Sequence, residues 1–151
     1  MSSLGFDLLD RHVVDGRGDD IACTDVTGTL TYARLLERSA VLAGGLRAVG
    51  VRAGDDVAVE VASGNLQVVI VCACVRLGAI PGNGGEVRIA ETAGLFLVHT
   101  SDDEFDLSVV QKAGATDPAS SLASDPPGYV DDVRTSFGDV IDSLLAGSPV
   151  V

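Results

Sequence analysis

Positive charge is scarce in this chain. Ten Lys and Arg residues stand against 22 Asp and Glu, a formal net charge of −12. Nucleic acids and anionic membrane surfaces are polyanions, so this balance disfavours both as partners. Lysine occurs once, as Lys112, although phosphate chemistry often uses a lysine as its point charge. Thiols are equally few: Cys23, Cys72 and Cys74. An odd number of cysteines without a secretion signal predicts reduced thiols in a cytoplasm. Cys72 and Cys74 lie two apart on a predicted helix and do not face each other. With only His12 and His99 beside them, no zinc ligand set forms, and no metal is expected. The opening "MSSLGFDLLDRHVVDG" has neither a basic region nor an unbroken apolar run, so it is not a signal peptide. The most apolar stretch, "LQVVIVCACVRLGAI", is interrupted by Arg76 and too short to span a bilayer; it reads as a buried helix. These absences together predict a cytoplasmic protein with no nucleic-acid or membrane partner.

What is present is enough for one domain. Hydrophobic residues make up 46% of 151, which excludes wholesale disorder. A chain of this length buries roughly 70% of the surface it exposes when unfolded. Residues 6–14 carry Phe6, Leu8, Leu9, Val13 and Val14 as the apolar side of a short helix. In "IACTDVTGTLTY" two β-prone runs flank Asp25-Val-Thr-Gly28, a hairpin in which Gly28 is free to take positive φ. Thr31 then caps a helix with Leu35, Leu42, Leu46 and Val49 on one stripe, and Gly50 ends it.

"DVAVEVA" alternates as a strand, with Val57, Val59 and Val61 on one face and Ala58, Glu60 and Ala62 on the other. Asn65 is expected to cap a helix over 66–77 that is apolar nearly all round, closed by Gly78. "AIPGN" follows as a strand, "EVRIAETAG" as a short helix and "LFLVHT" as a strand. Strands alternating with helices predict an α/β fold, a mostly parallel sheet of βαβ units with flanking helices. Past Thr100, "SDDEFD" reads as an acidic turn or loop and "LSVVQKAG" as a short strand or helix. "ATDPASSLASDPPGYVDD" is rich in Pro, Ser and Asp, and a last helix is expected from about Ser136 to Ala146. The expected organisation is an α/β domain over 1–114, a flexible connector over 115–135, and a C-terminal helix and tail over 136–151 packed on the same domain.

Three segments agree in order and spacing: "LTYARLLERSAVLAGGLRAVGVRAGDDVAV", "GNLQVVIVCACVRLGAIPGN" and "RIAETAGLFLVHT". Over residues 20–100 they resemble the N-terminal subdomain of the adenylate-forming superfamily of acyl-CoA synthetases, luciferases and peptide-synthetase adenylation domains. Thr31-Tyr32-Ala33, Gly50-Val51, Gly54-Asp55, Val57-Ala58, Asn65 and Arg76-Leu77-Gly78-Ala79 match the pattern. The resemblance implies that fold. It also implies chemistry drawn from motifs placed later: a Ser/Thr/Gly-rich phosphate loop, an acidic residue near the ribose and a late lysine acting electrostatically. The string nearest to that loop, "RTSFGD", keeps only Thr135 and Ser136. Phe137 and Asp139 replace small neutral residues, and an aspartate repels triphosphate unless a metal intervenes. The chain ends at Val151, so a truncated relative is expected. Arg34 stands where the family often has a glutamate that would complete a capping box with Thr31.

Each remaining candidate has a bland reading beside a functional one. Glu60, unexpected on an inner parallel strand, reads as exposed or paired. Gly82, Gly84 and Gly85 precede an expected short helix, but Glu86 and the lack of a full fingerprint favour a flexible turn over phosphate binding. Ser63-Gly64-Asn65 and Gly128-Tyr129 read as turns. His99 ends a strand at the functional edge of an α/β sheet; a Cys-His pair with Cys23 or Cys72 has no spacing signature. Asp102-Asp103-Glu104 reads as a solvated loop without calcium-loop spacing. No catalytic, cofactor-binding or metal residue is therefore assigned, and no cofactor is expected. The favoured expectation is a non-catalytic binding or interaction module, self-associating as a homodimer or joined to a protein partner, with an unknown small-molecule ligand. The alternatives are half of a split acyl- or aryl-acid ligase completed by another chain, and an unrelated flavodoxin-like ligand-binding module.

Overall fold

The computed structural model describes residues 3–150. Met1, Ser2 and Val151, at the ends of the expected ranges, lie outside the described residues. A π-helical segment, Phe6–Asp10, runs into α1, Arg11–Val14. The hairpin follows: β1 (Ile21–Asp25) pairs antiparallel with β2 (Gly28–Thr31), and Gly28 takes φ 138°. α2 spans Tyr32–Ala48, with the Thr31 hydroxyl accepting the Arg34 N–H at 3.3 Å. Its stripe of Leu35, Leu42 and Leu46 is fully buried. Arg34 offsets its unfavourable place in the first turn by an exposed ion pair with Glu37 at 3.6 Å.

β3 (Asp56–Glu60), α3 (Asn65–Leu77) and β4 (Ile80–Gly82) form a βαβ crossover with β3 and β4 parallel. α3 is buried around most of its circumference, as its unbroken apolar composition requires, and Gly78 closes it at φ 76°. β5 (Val87–Thr92) pairs parallel with β3, while β6 (Leu95–His99) and β7 (Glu104–Asp106) extend the sheet antiparallel, giving the order β4-β3-β5-β6-β7. The fold is α/β with flanking helices, and the sheet is mixed: the βαβ half is parallel and the half beyond β5 is a meander.

Three expectations are corrected here. "EVRIAETAG" is strand β5, not a helix. Ala93 (φ 53°) and Gly94 (φ 81°) make a tight two-residue turn that returns the chain as β6, and Ile89 is sealed between Val59 and Val98. "SDDEFD" contributes edge strand β7, whose Phe105 lies opposite Val98. α4 (Leu107–Ala115) starts at the Asp106 carboxylate, which accepts the Ser108 N–H at 2.8 Å. The last helix, α5, begins at Tyr129, seven residues before Ser136, and runs to Ala146. Its early start is anchored by the buried Tyr129 hydroxyl, which donates to the Ala79 carbonyl. Residues 116–128 between α4 and α5 are tied down at Ala119: its N–H donates to the Ala40 carbonyl at 2.9 Å and its own carbonyl accepts Arg76 Nε at 3.0 Å.

The column Val59, Ile89, Val98, Phe105 faces the helices. Alternation puts Ala58, Arg88, His99 and Glu104 on the opposite face of the sheet.

Candidate functional site

The carboxyl end of β3 opens into a cleft of about 860 Å³. In open α/β sheets this is the edge at which ligands bind. Its walls are the β1–β2 hairpin at Asp25, the start of α3 at Ser63–Asn65, and the middle of α5 over residues 134–140. α5 is broken there, with Phe137 at φ −130°, ψ 34°, so the helical hydrogen-bond ladder is interrupted where it borders the cleft.

The start of α3 departs from the sequence expectation. Asn65 is not its cap. Gly64, at φ 156°, holds the N-cap position, and the capping oxygen comes from 40 residues away: Asp25 Oδ2 accepts the Asn65 N–H at 2.7 Å. A β-carbon at Gly64 would lie 2.8 Å from that oxygen, so the glycine makes room for the carboxylate. Asn65 instead donates from Nδ2 to the Gly28 carbonyl at 3.0 Å, locking the hairpin onto α3. The Asp25 carboxyl is held below its ordinary value by the Thr27 hydroxyl first and the Asn65 N–H second. The positive end of the α3 dipole thus already faces an internal anion. A phosphate arriving there would have to displace it.

The remaining polar residues of the cleft are mostly neutral Ser, Thr and Gln, and its remaining charges are one acid and one base. Asp139 lies on its wall, and Arg134, its one basic side chain among the described residues, is ion-paired with Asp142. "RTSFGD" therefore does border the cleft, but it arrives as a broken helix and not as a phosphate-cradling loop.

The other candidates sit elsewhere. Glu60 is half exposed and ion-paired with Arg88 at 3.3 Å, as its place on the outer face of the sheet suggests. His99 Nδ1 lies 3.2 Å from Glu104 Oε1 on that same face. Gly82, Gly84 and Gly85 lead into strand β5, so no helix N-terminus stands behind them. A β-carbon at Gly85 would lie 2.1 Å from the Asp56 carbonyl, which shows a glycine required by close backbone approach. Gly85 and Glu86 line a second, smaller hollow of about 420 Å³ with Asp55 and Asp56, an acidic wall unsuited to phosphate. No group of three or more metal-ligating side chains occurs among the described residues, and no helix among them is long and apolar enough to cross a membrane.

Cys23, Cys72 and Cys74 are free and buried. Burial first, and the Asp25 charge second, push the Cys23 thiol up to about 11; burial pushes Cys74 to about 12 and Cys72 higher still. Buried neutral thiols are poor nucleophiles. Native protein at pH 8 should take up no iodoacetamide over a time in which urea-unfolded protein is alkylated at all three positions. The same shifts predict the alkaline limit of stability. A thiol whose folded pKa is raised contributes its stabilisation in full below the unfolded value of 9.0 and loses it as pH rises through the folded value. Tyr32, raised by burial from 10.0 to about 12, behaves alike. Urea midpoints should hold level up to pH 9 and fall continuously from pH 9 to 12.

Residues 10–82 match the family described as AMP-binding enzyme. Acyl-CoA synthetase short-chain family member 3, mitochondrial, of Mus musculus is 35% identical over 86 residues, 53% of this chain and 13% of that protein. An uncharacterized protein of Pseudomonas aeruginosa is 36% identical over 137 residues, 81% of this chain and 22% of that protein. The chain thus spans 13% to 22% of the length of these relatives. Among solved structures, O-succinylbenzoate coenzyme A synthetase of Bacillus subtilis, in complex with AMP, superposes with a TM-score of 0.57 at 21% identity, over 77% of this chain and 34% of that one. The NpsA N-terminal subdomain of Klebsiella oxytoca superposes with a TM-score of 0.50 at 19% identity, over 56% and 21%.

Proposed function

Since this chain is a relative of the adenylate-forming enzymes and has the fold of their N-terminal subdomain, we propose that its residues serve as a non-catalytic binding or interaction scaffold. The observation that carries this reading is the cleft at the carboxyl end of β3. The helix dipole there is already met by Asp25, Asp139 adds a second carboxylate, and the neighbouring arginine is engaged by Asp142. Triphosphate needs convergent N–H groups, a cation or both; here the start of α3 is capped by Asp25, and the one lining arginine among the described residues is ion-paired. The buried, reduced thiols accord with a reducing compartment such as the cytoplasm.

A second reading is favoured by the length of the relatives: these residues form the first subdomain of an acid–thiol ligase whose nucleotide-binding residues lie outside them. The flavodoxin-like alternative calls for a doubly wound parallel sheet, which the antiparallel β5–β6–β7 meander does not provide.

The purified 151-residue chain, given ATP, magnesium and a panel of short-chain and aromatic acids, should catalyse no ATP–pyrophosphate exchange. ATP, AMP and coenzyme A should leave its melting temperature unchanged. Exchange above the protein-free background would overturn the proposal. Exchange that arises only when a second polypeptide is added would establish the ligase reading instead.

A further inference from the structure

Asn83 is followed by Gly84, and the two sit where the chain crosses from one side of β3 to the other. β4 and β5 both pair parallel with β3, on its opposite edges. Parallel strands ordinarily need about a dozen or more residues to connect. Here residues 83–86 alone carry the chain from Gly82, beside Ala58, to Val87, beside Val57. The crossing is a tight strap, pinned to β3 at Gly85, whose φ of 146° and close approach to the Asp56 carbonyl admit no side chain.

Within the strap, Asn83 and Gly84 stand clear. Both are exposed. Nothing lies within 4 Å of a β-carbon placed on Gly84. Among the described residues, neither the Gly84 N–H nor the Asn83 side chain has a hydrogen-bond partner. The other asparagine differs on each count. Asn65 is buried, its Nδ2 donates to the Gly28 carbonyl, and the residue after it is a leucine inside α3. An amide nitrogen one residue beyond an asparagine can reach that side chain's carbonyl carbon and close a five-membered ring. The reaction needs a nitrogen free of hydrogen bonds, a following residue without a crowding β-carbon, and access to water.

We propose that Asn83–Gly84 is a self-modifying site, at which the Gly84 nitrogen displaces the side-chain amine of Asn83. The bond from that nitrogen to Cγ forms as the Cγ–Nδ2 bond breaks, and the Gly84 amide proton leaves with Nδ2 as ammonia. Water then opens the succinimide. Attack at Cγ gives aspartate; attack at the Asn83 main-chain carbonyl gives isoaspartate, in which the β-carbon has entered the main chain. No oxidant, metal or second protein is consumed. Either product adds a carboxylate to a strap whose Gly85 and Glu86 already line an acidic hollow with Asp55 and Asp56. Isoaspartate also lengthens the strap by one backbone atom next to β4, an edge strand, and so loosens that strand from β3. The inference is independent of the scaffold reading.

The test is incubation of the full chain at pH 8.5 and 37 °C, followed by ammonia release, anion-exchange chromatography and peptide mass spectrometry. One ammonia per chain should appear, with the change at residue 83 and none at Asn65, and with isoaspartate beside aspartate. The folded chain should convert within tenfold of the rate of a free peptide of residues 80–87. Gly84→Ala, for which the structure has room, should slow conversion at least tenfold, and Asn83→Ser should release no ammonia. The isoaspartate form should unfold at a lower urea concentration than Asn83→Asp, which carries the charge without the added atom. Conversion of the folded chain more than tenfold slower than the peptide would mean that the strap holds Asn83 away from the Gly84 nitrogen, and would overturn the proposal. So would equal rates in the parent and Gly84→Ala, or equal ammonia from Asn83→Ser. Equal urea midpoints for the isoaspartate form and Asn83→Asp would overturn the loosening of β4.

Discussion

Replacing Gly114 by alanine should cost about 3 kcal/mol or more of stability, although alanine is the better helix former. α2 and α4 meet through three glycines. A β-carbon at Gly114 would lie 1.7 Å from the Val41 carbonyl oxygen and 2.6 Å from the Gly45 nitrogen. One at Gly45 would lie 2.0 Å from the Val110 carbonyl, and one at Gly44 2.2 Å from that of Asp117. Every one of these neighbours is backbone, so no side chain can swing aside. The two helices would have to separate, and the packing of Leu42, Leu46 and Val110 between them would open. In a domain of this size such a loss lowers the melting temperature by roughly 10 °C. Gly138→Ala provides the contrast. It lies in α5 with nothing nearer to the added carbon than Arg134 Cβ at 4.0 Å, so it should be neutral or slightly stabilising. Urea denaturation of the two variants side by side is the measurement. A Gly114→Ala midpoint equal to that of the parent would mean that the helices are not held at this separation.

The second large effect belongs to Asp10. Arg76 is 4% exposed; its Nη1 lies 2.6 Å from Asp10 Oδ1, and its Nε donates to the Ala119 carbonyl. The guanidinium therefore fastens three segments that are remote in sequence: the N-terminal helical turns, α3 and the loop before α5. Asp10→Ala removes the counter-charge and leaves a buried cation with one carbonyl for company, a change expected to cost about 3–5 kcal/mol. Pairing it with Arg76→Met removes the stranded charge and keeps an apolar stem of similar length. Most of the loss should return, because a buried ion pair is often no better than an apolar replacement. Chemical denaturation of the single and double variants completes the cycle. If Asp10→Ala alone stays within about 1 kcal/mol of the parent, water must reach Arg76 and the burial argued for it is wrong.

Both predictions concern residues whose importance is differently visible in sequence. Arg76 belongs to the Arg76-Leu77-Gly78-Ala79 string that carried the family resemblance, and the resemblance is correct. The role of Arg76, however, lies in contacts with Asp10 and Ala119, 66 and 43 residues away. Gly44 and Gly45 lie inside α2, where helix propensity gives no local reason for them. The reason for them is α4, which the local pattern left undecided between strand and helix.

Local chemistry sufficed for the elements whose signals are short-range. The Thr31 cap, the hairpin at Gly28, the leucine stripe of α2 and the all-round apolar α3 are properties of a few consecutive residues, and each stands where periodicity placed it. It failed for β5, where Glu86, Ala90, Glu91 and Ala93 favour helix locally and pairing with β3 and β6 overrides them. It failed again at the start of α3, where the capping oxygen comes from Asp25 across 40 residues. Asn65 was singled out by type, yet whether an asparagine caps or bridges depends on what is folded beside it.

The amino-acid order by itself determined the α/β class and the acidity of the chain, because composition and periodicity need no partner to act, and its motifs carried the family resemblance. Tertiary structure alone decided the antiparallel half of the sheet, the glycine contact between α2 and α4, and the cleft where Asp25 caps α3. Each of these depends on groups brought together from distant parts of the chain, and their energies exist only once the chain has closed upon itself.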